Sequence, residues 1–220
     1  LGKEIGDYLL NTHPELFNSY NLIKGFLNFS IADNFWIQTV ADNYADTAFG
    51  KQSPNNKKVV VEYSSPNTNK PLHLGHLRNN FLGWSVARIL EERGHEVIKS
   101  CIVNDRGIHI CKSMIAWKLF ANGETPASSG KKGDHLVGDY YVKFNDELKR
   151  QVEEMVATGI TKEVAEKEAP IMKEAHEMLV KWEQGDEEIM NLWRTMNGWV
   201  YAGFEETYRN IGVDFDKYYY

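Results

Sequence analysis

The sequence predicts an α/β fold whose parallel sheet carries a nucleotide site at its carboxyl edge. Three observations support this. The β-branched run Lys57-Lys58-Val59-Val60-Val61-Glu62-Tyr63 reads as a largely buried strand. Leu77, Phe81, Trp84 and Ile89 then recur at helical spacing until Gly94 stops the run. A further strand is expected from His95 to Val103, which makes a β-α-β unit with parallel strands.

Ahead of this unit, Gly50 to Asn56 is rich in Ser, Pro and Asn and is expected to be a linker, with a separate N-terminal part before it. Between the first strand and its helix lies Ser65-Pro66-Asn67-Thr68-Asn69-Lys70-Pro71-Leu72-His73-Leu74-Gly75-His76-Leu77-Arg78. A helix start has unpaired N–H groups and the positive end of the macrodipole, so it favours an anion such as phosphate. His73 and His76 are three residues apart and share a face, and Gly75 between them lets a flat ligand approach the backbone. Imidazoles placed there donate hydrogen bonds to a phosphorus centre as charge builds, and Lys70 adds a mobile cation. Strand alternation puts Glu62 on one face with Val60 and Ser64, a carboxylate at the mouth of the site. Capping of the helix by the histidine pair, a zinc site with Cys101, His109 and Cys111, and pairing of Glu62 with Lys57 or Lys58 are the alternatives weighed. No recognisable zinc frame exists, and no protein-held metal is expected.

Beyond the second strand, Asn104-Asp105-Arg106-Gly107 is another loop at the ligand edge, with Asp105 the expected N-cap of a helix containing Ile110, Met114, Ile115 and Trp117. Asn122 to Asp134 reads as a mobile glycine-rich surface loop, and Gly130-Lys131-Lys132-Gly133 lacks the phosphate-loop frame. Helices are expected from Tyr140 onward. One stripe runs through Val164, Ile171, Met172, Ala175, Met178, Leu179 and Trp182, interrupted at Pro170 and ended by Gly185. A second, capped by Asp186, runs through Ile189, Leu192, Trp193, Met196, Val200, Phe204 and Tyr208 to Gly212. Their tryptophans are expected in the core. Phe215 to Tyr220 looks like the start of a strand.

His73-Leu74-Gly75-His76 resembles the HIGH signature of class I aminoacyl-tRNA synthetases. The wider frame from Val61 through Asn67, Lys70-Pro71 and Leu77-Arg78 is similar to the arginyl-tRNA synthetase family in particular. Ala87 to Val97 and Trp199 to Asp216 extend the likeness, which runs from about residue 57 to the end. The resemblance implies the first half of a Rossmann-like catalytic domain over 55–220, with a loop and helical insertion at about 122–185. Residues 1–54 would be the remnant of an N-terminal α+β, tRNA-contacting domain plus linker. It implies that His73, Gly75, His76 and Lys70 bind ATP, with His73, His76 and Lys70 catalytic. Glu62, Asn67 and His76 would hold arginine. ATP with Mg2+, L-arginine and tRNA(Arg) are the implied substrates and partners, and a monomer is expected. A non-catalytic tRNA-binding paralogue and another nucleotidyltransferase of the H-x-G-H type are the alternatives.

No segment reads as the family's Lys-Met-Ser-Lys-Ser-like loop, Leu1 is not an initiator methionine, and the sequence stops on three tyrosines. The chain is therefore expected to be a piece of a longer enzyme, inactive alone. Its 220 residues, 42% hydrophobic, suffice for a sizeable core. Two cysteines make no disulfide framework, no signal-like start or apolar span occurs, and a cytoplasmic protein is expected. The net charge of −6 is distributed unevenly: −1 over residues 1–60, +3 over 61–135 and −8 over 136–220. Only the histidine-bearing segment is basic, which excludes a uniformly basic nucleic-acid-binding module.

Overall fold

The computed structural model describes all of residues 1–220, in two compact units, Leu1–Gln52 and Ser53–Tyr220. In the first, helix α1 (Gly2–Thr12) accompanies an antiparallel hairpin of β1 (Phe17–Ile23) and β2 (Phe26–Ile31), followed by α2 (Asp33–Asn43). The hairpin turns at Lys24 and Gly25, both at positive φ. Gly6 lets α1 lie directly on the Tyr20 ring, and that tyrosine's hydroxyl donates to Asp7 at 2.7 Å.

The second unit is built on three parallel strands in the order β3 (Lys58–Glu62), β4 (Glu96–Ile102) and β5 (Lys217–Tyr219). Helix α3 (Leu74–Glu92) joins β3 to β4. Gly94, at φ +79°, closes its end as the sequence predicts. Gly83 is the close-approach point of this helix, for a Cβ there would run into Tyr63. The expected apolar stripe is only partly the packed face: Trp84 joins the core, whereas Phe81 and Ile89 are exposed and Asn80 and Ala87 are buried instead. Apolar residues lie on more than one side of this helix, so spacing alone does not choose the inner one.

Helices follow: α4 (Ile108–Phe120), α5 (Pro126–Ser129), α6 (Gly133–Ala157), α7 (Lys162–Glu168), α8 (Pro170–Glu183) and α9 (Glu187–Ile211). The core forms where α4, α6, α8 and α9 meet, around Met114, Phe144, Ile171, Val200 and Phe204. Trp182 and Trp193 pack against it with ring centroids 5.5 Å apart, as the sequence predicts for core tryptophans. Asp186 caps α9 through the Ile189 N–H at 3.0 Å, and Gly212 ends that helix in the left-handed region.

Two expectations fail here. The segment 122–134 is no simple loop: Thr125 and Ser128 form a capping box for α5, and Gly133 and Asp134 are buried in the first turn of α6. Gly133 is glycine because a Cβ would collide with the Trp199 carbonyl. Asp105 does not cap α4, whose N-cap is Gly107 at φ +114°. It is buried, and its carboxylate accepts from the Tyr201 hydroxyl at 2.7 Å while its carbonyl accepts from the Trp193 indole at 2.7 Å. The loop is thus tied to α9.

Candidate functional site

The chain leaves β3 through two residues in the left-handed region, Ser64 at φ +66° and Ser65 at φ +44°. Consecutive non-glycine residues there are strained and persist only when several contacts impose them. Those contacts are present. Ser64 N–H donates to Asn79 Oδ1 at 2.6 Å, and its hydroxyl lies 2.7 Å from the Tyr208 hydroxyl. Ser65 Oγ donates to Glu62 Oε1 at 2.7 Å and accepts from the Ile102 N–H at 3.2 Å. Ser64 is therefore buried off the strand and does not share a face with Glu62, a correction to simple alternation. No glycine marks this turn, so the sequence carried no signal for it. Ser64, Asn79 and Tyr208 are the positioning residues that sequence reasoning missed.

Glu62 remains exposed at the strand end. The lysines expected as its alternative partners lie elsewhere, with Lys58 paired to Glu96 at 2.8 Å. Asn67 pairs with the neighbouring edge loop through a parallel bridge to Asn104, whose amide donates to Asn67 Oδ1 at 2.7 Å. The Asn67 amide NH2 makes no hydrogen bond within the protein. Thr68 and Asn69 behind it are buried, each with its side-chain oxygen unpartnered. Lys70 is exposed and forms no ion pair.

The two histidines form the start of α3 themselves. His73 is the N-cap: its Nδ1 accepts from the Gly75 N–H at 3.1 Å, and His76 Nδ1 accepts from the His73 N–H at 3.2 Å. The capping alternative therefore holds as local structure, and it has a chemical result. Each Nδ1 is used as an acceptor, so the proton of each neutral ring sits on Nε2. The rings lie 4.0 Å apart at 51° and present two fixed N–H donors. Gly75 is required first by this arrangement, since a Cβ would meet His73 Cε1 at 2.9 Å.

Burial, then the His73 and Lys70 charges, hold His76 below its ordinary pKa of 6.5. A base whose folded pKa is depressed binds fewer protons folded than unfolded. Its share of stability is complete above pH 6.5 and is lost as pH falls through the folded value. His109 is displaced in the same sense. Urea unfolding followed between about pH 8 and pH 5 should show stability falling on the acid side, and His76→Gln should flatten that fall. An unaltered slope in the variant would refute the assignment.

Both cysteines are buried and unpaired, and burial pushes the Cys111 thiol up to about 11, away from the range of a reactive thiol. The structure thus brings His73, Gly75 and His76 together and keeps Lys70 on the adjoining loop. Glu62 and Asn67 stand on the stretch leading into that loop, bonded to Ser65 and Asn104 rather than to the histidines.

The chain is similar to known proteins along nearly its whole length. A family model described as tRNA synthetases class I (R), catalytic domain, matches residues 39–217. An arginine–tRNA ligase of Bacteroides thetaiotaomicron is 57% identical over 99% of the chain, and one of Amoebophilus asiaticus is 54% identical over 100%. The chain spans 37% of the length of each of these curated relatives. Among solved structures, the arginyl-tRNA synthetase of Thermus thermophilus superposes with a TM-score of 0.61 at 23% identity, covering 99% of this chain and 32% of that one. The Plasmodium falciparum arginyl-tRNA synthetase gives 0.53 at 17% identity, covering 98% and 35%. These likenesses extend to the fold.

Proposed function

Because the chain belongs to the family of class I tRNA synthetase (R) catalytic domains, we propose that it supplies the ATP- and arginine-binding edge of an arginine–tRNA ligase. In the reaction so assigned, arginine's carboxylate attacks the α-phosphorus of ATP, forming arginyl-adenylate and releasing pyrophosphate. The terminal ribose hydroxyl of tRNA(Arg) then attacks the arginyl carbonyl and AMP leaves.

The observation that carries this reading is the orientation of the paired imidazoles. With each Nδ1 engaged by a backbone N–H, both Nε2–H groups are pre-set as donors where negative charge builds on the phosphoryl oxygens. Lys70, exposed on the adjoining loop, reaches the same phosphates with its long side chain. Gly75 keeps the helix start open to the nucleotide. Glu62, exposed and held by Ser65, fits a guanidinium, and the free amide of Asn67 fits the carboxylate end of the amino acid with His76 beside it. Imidazoles and an ammonium are partners for phosphate rather than for a hard cation, so Mg2+ would enter as the counter-ion of ATP. No helix is long and apolar enough to cross a membrane. The ligase reading itself carries the further proposal of a cytoplasmic, monomeric enzyme.

Pyrophosphate exchange in the full-length protein tests the assignment. Exchange should require both arginine and tRNA. Exchange supported by a different amino acid, turnover of ATP on a small acceptor without tRNA, or no exchange at all would each defeat it.

A further inference from the structure

Two helices bring a second set of groups close to the histidine loop, and the reaction described above leaves them without a role. Helix α6 rests on that loop: a Cβ at Gly138 would meet Pro71 Cδ at 2.6 Å and stand 3.7 Å from Lys70 Cα. One turn further along α6, the Tyr141 hydroxyl is 2.9 Å from Nδ1 of His109 in the first turn of α4. Their rings lie 6.0 Å apart at 55°. His109 is exposed and Tyr141 half-buried, so the pair is not core packing. Lys112 follows His109 by one helical turn, with Nζ 5.4 Å over the Phe144 ring and no carboxylate partner. Lys70 has none either. The partial burial of His109 and then the two ammonium groups lower its pKa.

A partly exposed aromatic pair beside unpaired ammonium groups offers a single-stranded nucleic acid what it needs: a face for a base and a cation for its phosphate. The surroundings sharpen this, because residues 136–220 carry a net charge of −8 and would repel RNA elsewhere on the helical part. We propose that His109 and Tyr141, flanked by Lys70 and Lys112, seat an unpaired nucleotide of the RNA substrate near its 3′ end. The base lies against the ring pair and its phosphate lies beside the Lys112 ammonium, Lys70 staying with the ATP phosphates. The inference rests on the arginine–tRNA ligase reading and adds residues to it.

The test uses the full-length enzyme with His109→Ala, Tyr141→Ala and Lys112→Gln. Direct tRNA binding, without ATP or arginine, should weaken about tenfold in the first two, the scale of one lost base stack. KM for tRNA should rise in step, while KM for ATP and arginine stays constant. Lys112→Gln should make the salt dependence of tRNA binding shallower by roughly one counterion, a readout that a purely structural lysine would not move. Tyr141→Phe keeps the ring and drops the hydroxyl; near-normal binding is expected from it, and melting curves should match the parent's. Unchanged tRNA binding beside normal arginine exchange overturns this proposal alone. A rise in KM for ATP with tRNA binding intact also overturns it, giving the wall to the small nucleotide. Weakened tRNA binding in a protein whose parent shows no arginine exchange would leave the nucleotide seat standing and remove the ligase reading.

Discussion

Replacing His73 with alanine in the full-length enzyme should slow arginyl-adenylate formation by roughly ten- to a thousandfold, the range for removing a transition-state donor. KM for arginine should change little, because the lost interaction forms with charge on phosphorus. His73 also caps α3, so the same variant should lose about 1 kcal/mol of stability. The two effects separate with His73→Asn. Asparagine is among the best N-caps and should restore the melting temperature, yet it has no Nε2–H at that reach and should not restore the rate. Recovery of adenylation in the asparagine variant would show that His73 serves only the helix.

Phe144→Ala should cost about 3–5 kcal/mol, measured as a shift of the urea midpoint at constant slope. Phe144 is fully buried in the middle of α6, among the residues where α4, α6 and α9 meet. Its truncation also removes the ring under Lys112. Because α6 supports Lys70 and Pro71 through Gly138, adenylation should fall even at temperatures where the protein stays folded. A loss below about 1 kcal/mol would mean that neighbouring side chains refill the space.

The parts of the molecule legible in the sequence share a cause: one residue type with one strong conformational or chemical preference. Gly94, Gly212 and Asp186 end or begin helices where expected, the β-branched run at Val59–Val61 is a strand, and the spacing of His73 and His76 places both at one helix start. The failures arise where distant segments decide. Ser64 and Ser65 adopt left-handed backbone because Asn79, Tyr208 and Ile102 hold them there, and serine itself gives no hint of this. Asp105 has a cap-like sequence position but bonds to Tyr201, 96 residues away. Gly133 reads as loop flexibility until the Trp199 carbonyl beside it shows why the residue is small. The fold class was therefore readable from local pattern, whereas the braces that hold the site open were not.

Those braces also set the order of events at birth. The hydroxyl of Tyr63 donates to the Asp214 carbonyl across 151 residues, and Ser64 reaches Tyr208 across 144. A ribosome adding about 5–20 residues each second needs on the order of 8–30 s between making one partner and the other. For that interval the emerging loop with its two imidazoles lacks these anchors, and the nascent chain can acquire a phosphate-ready edge only after α9 has left the exit tunnel.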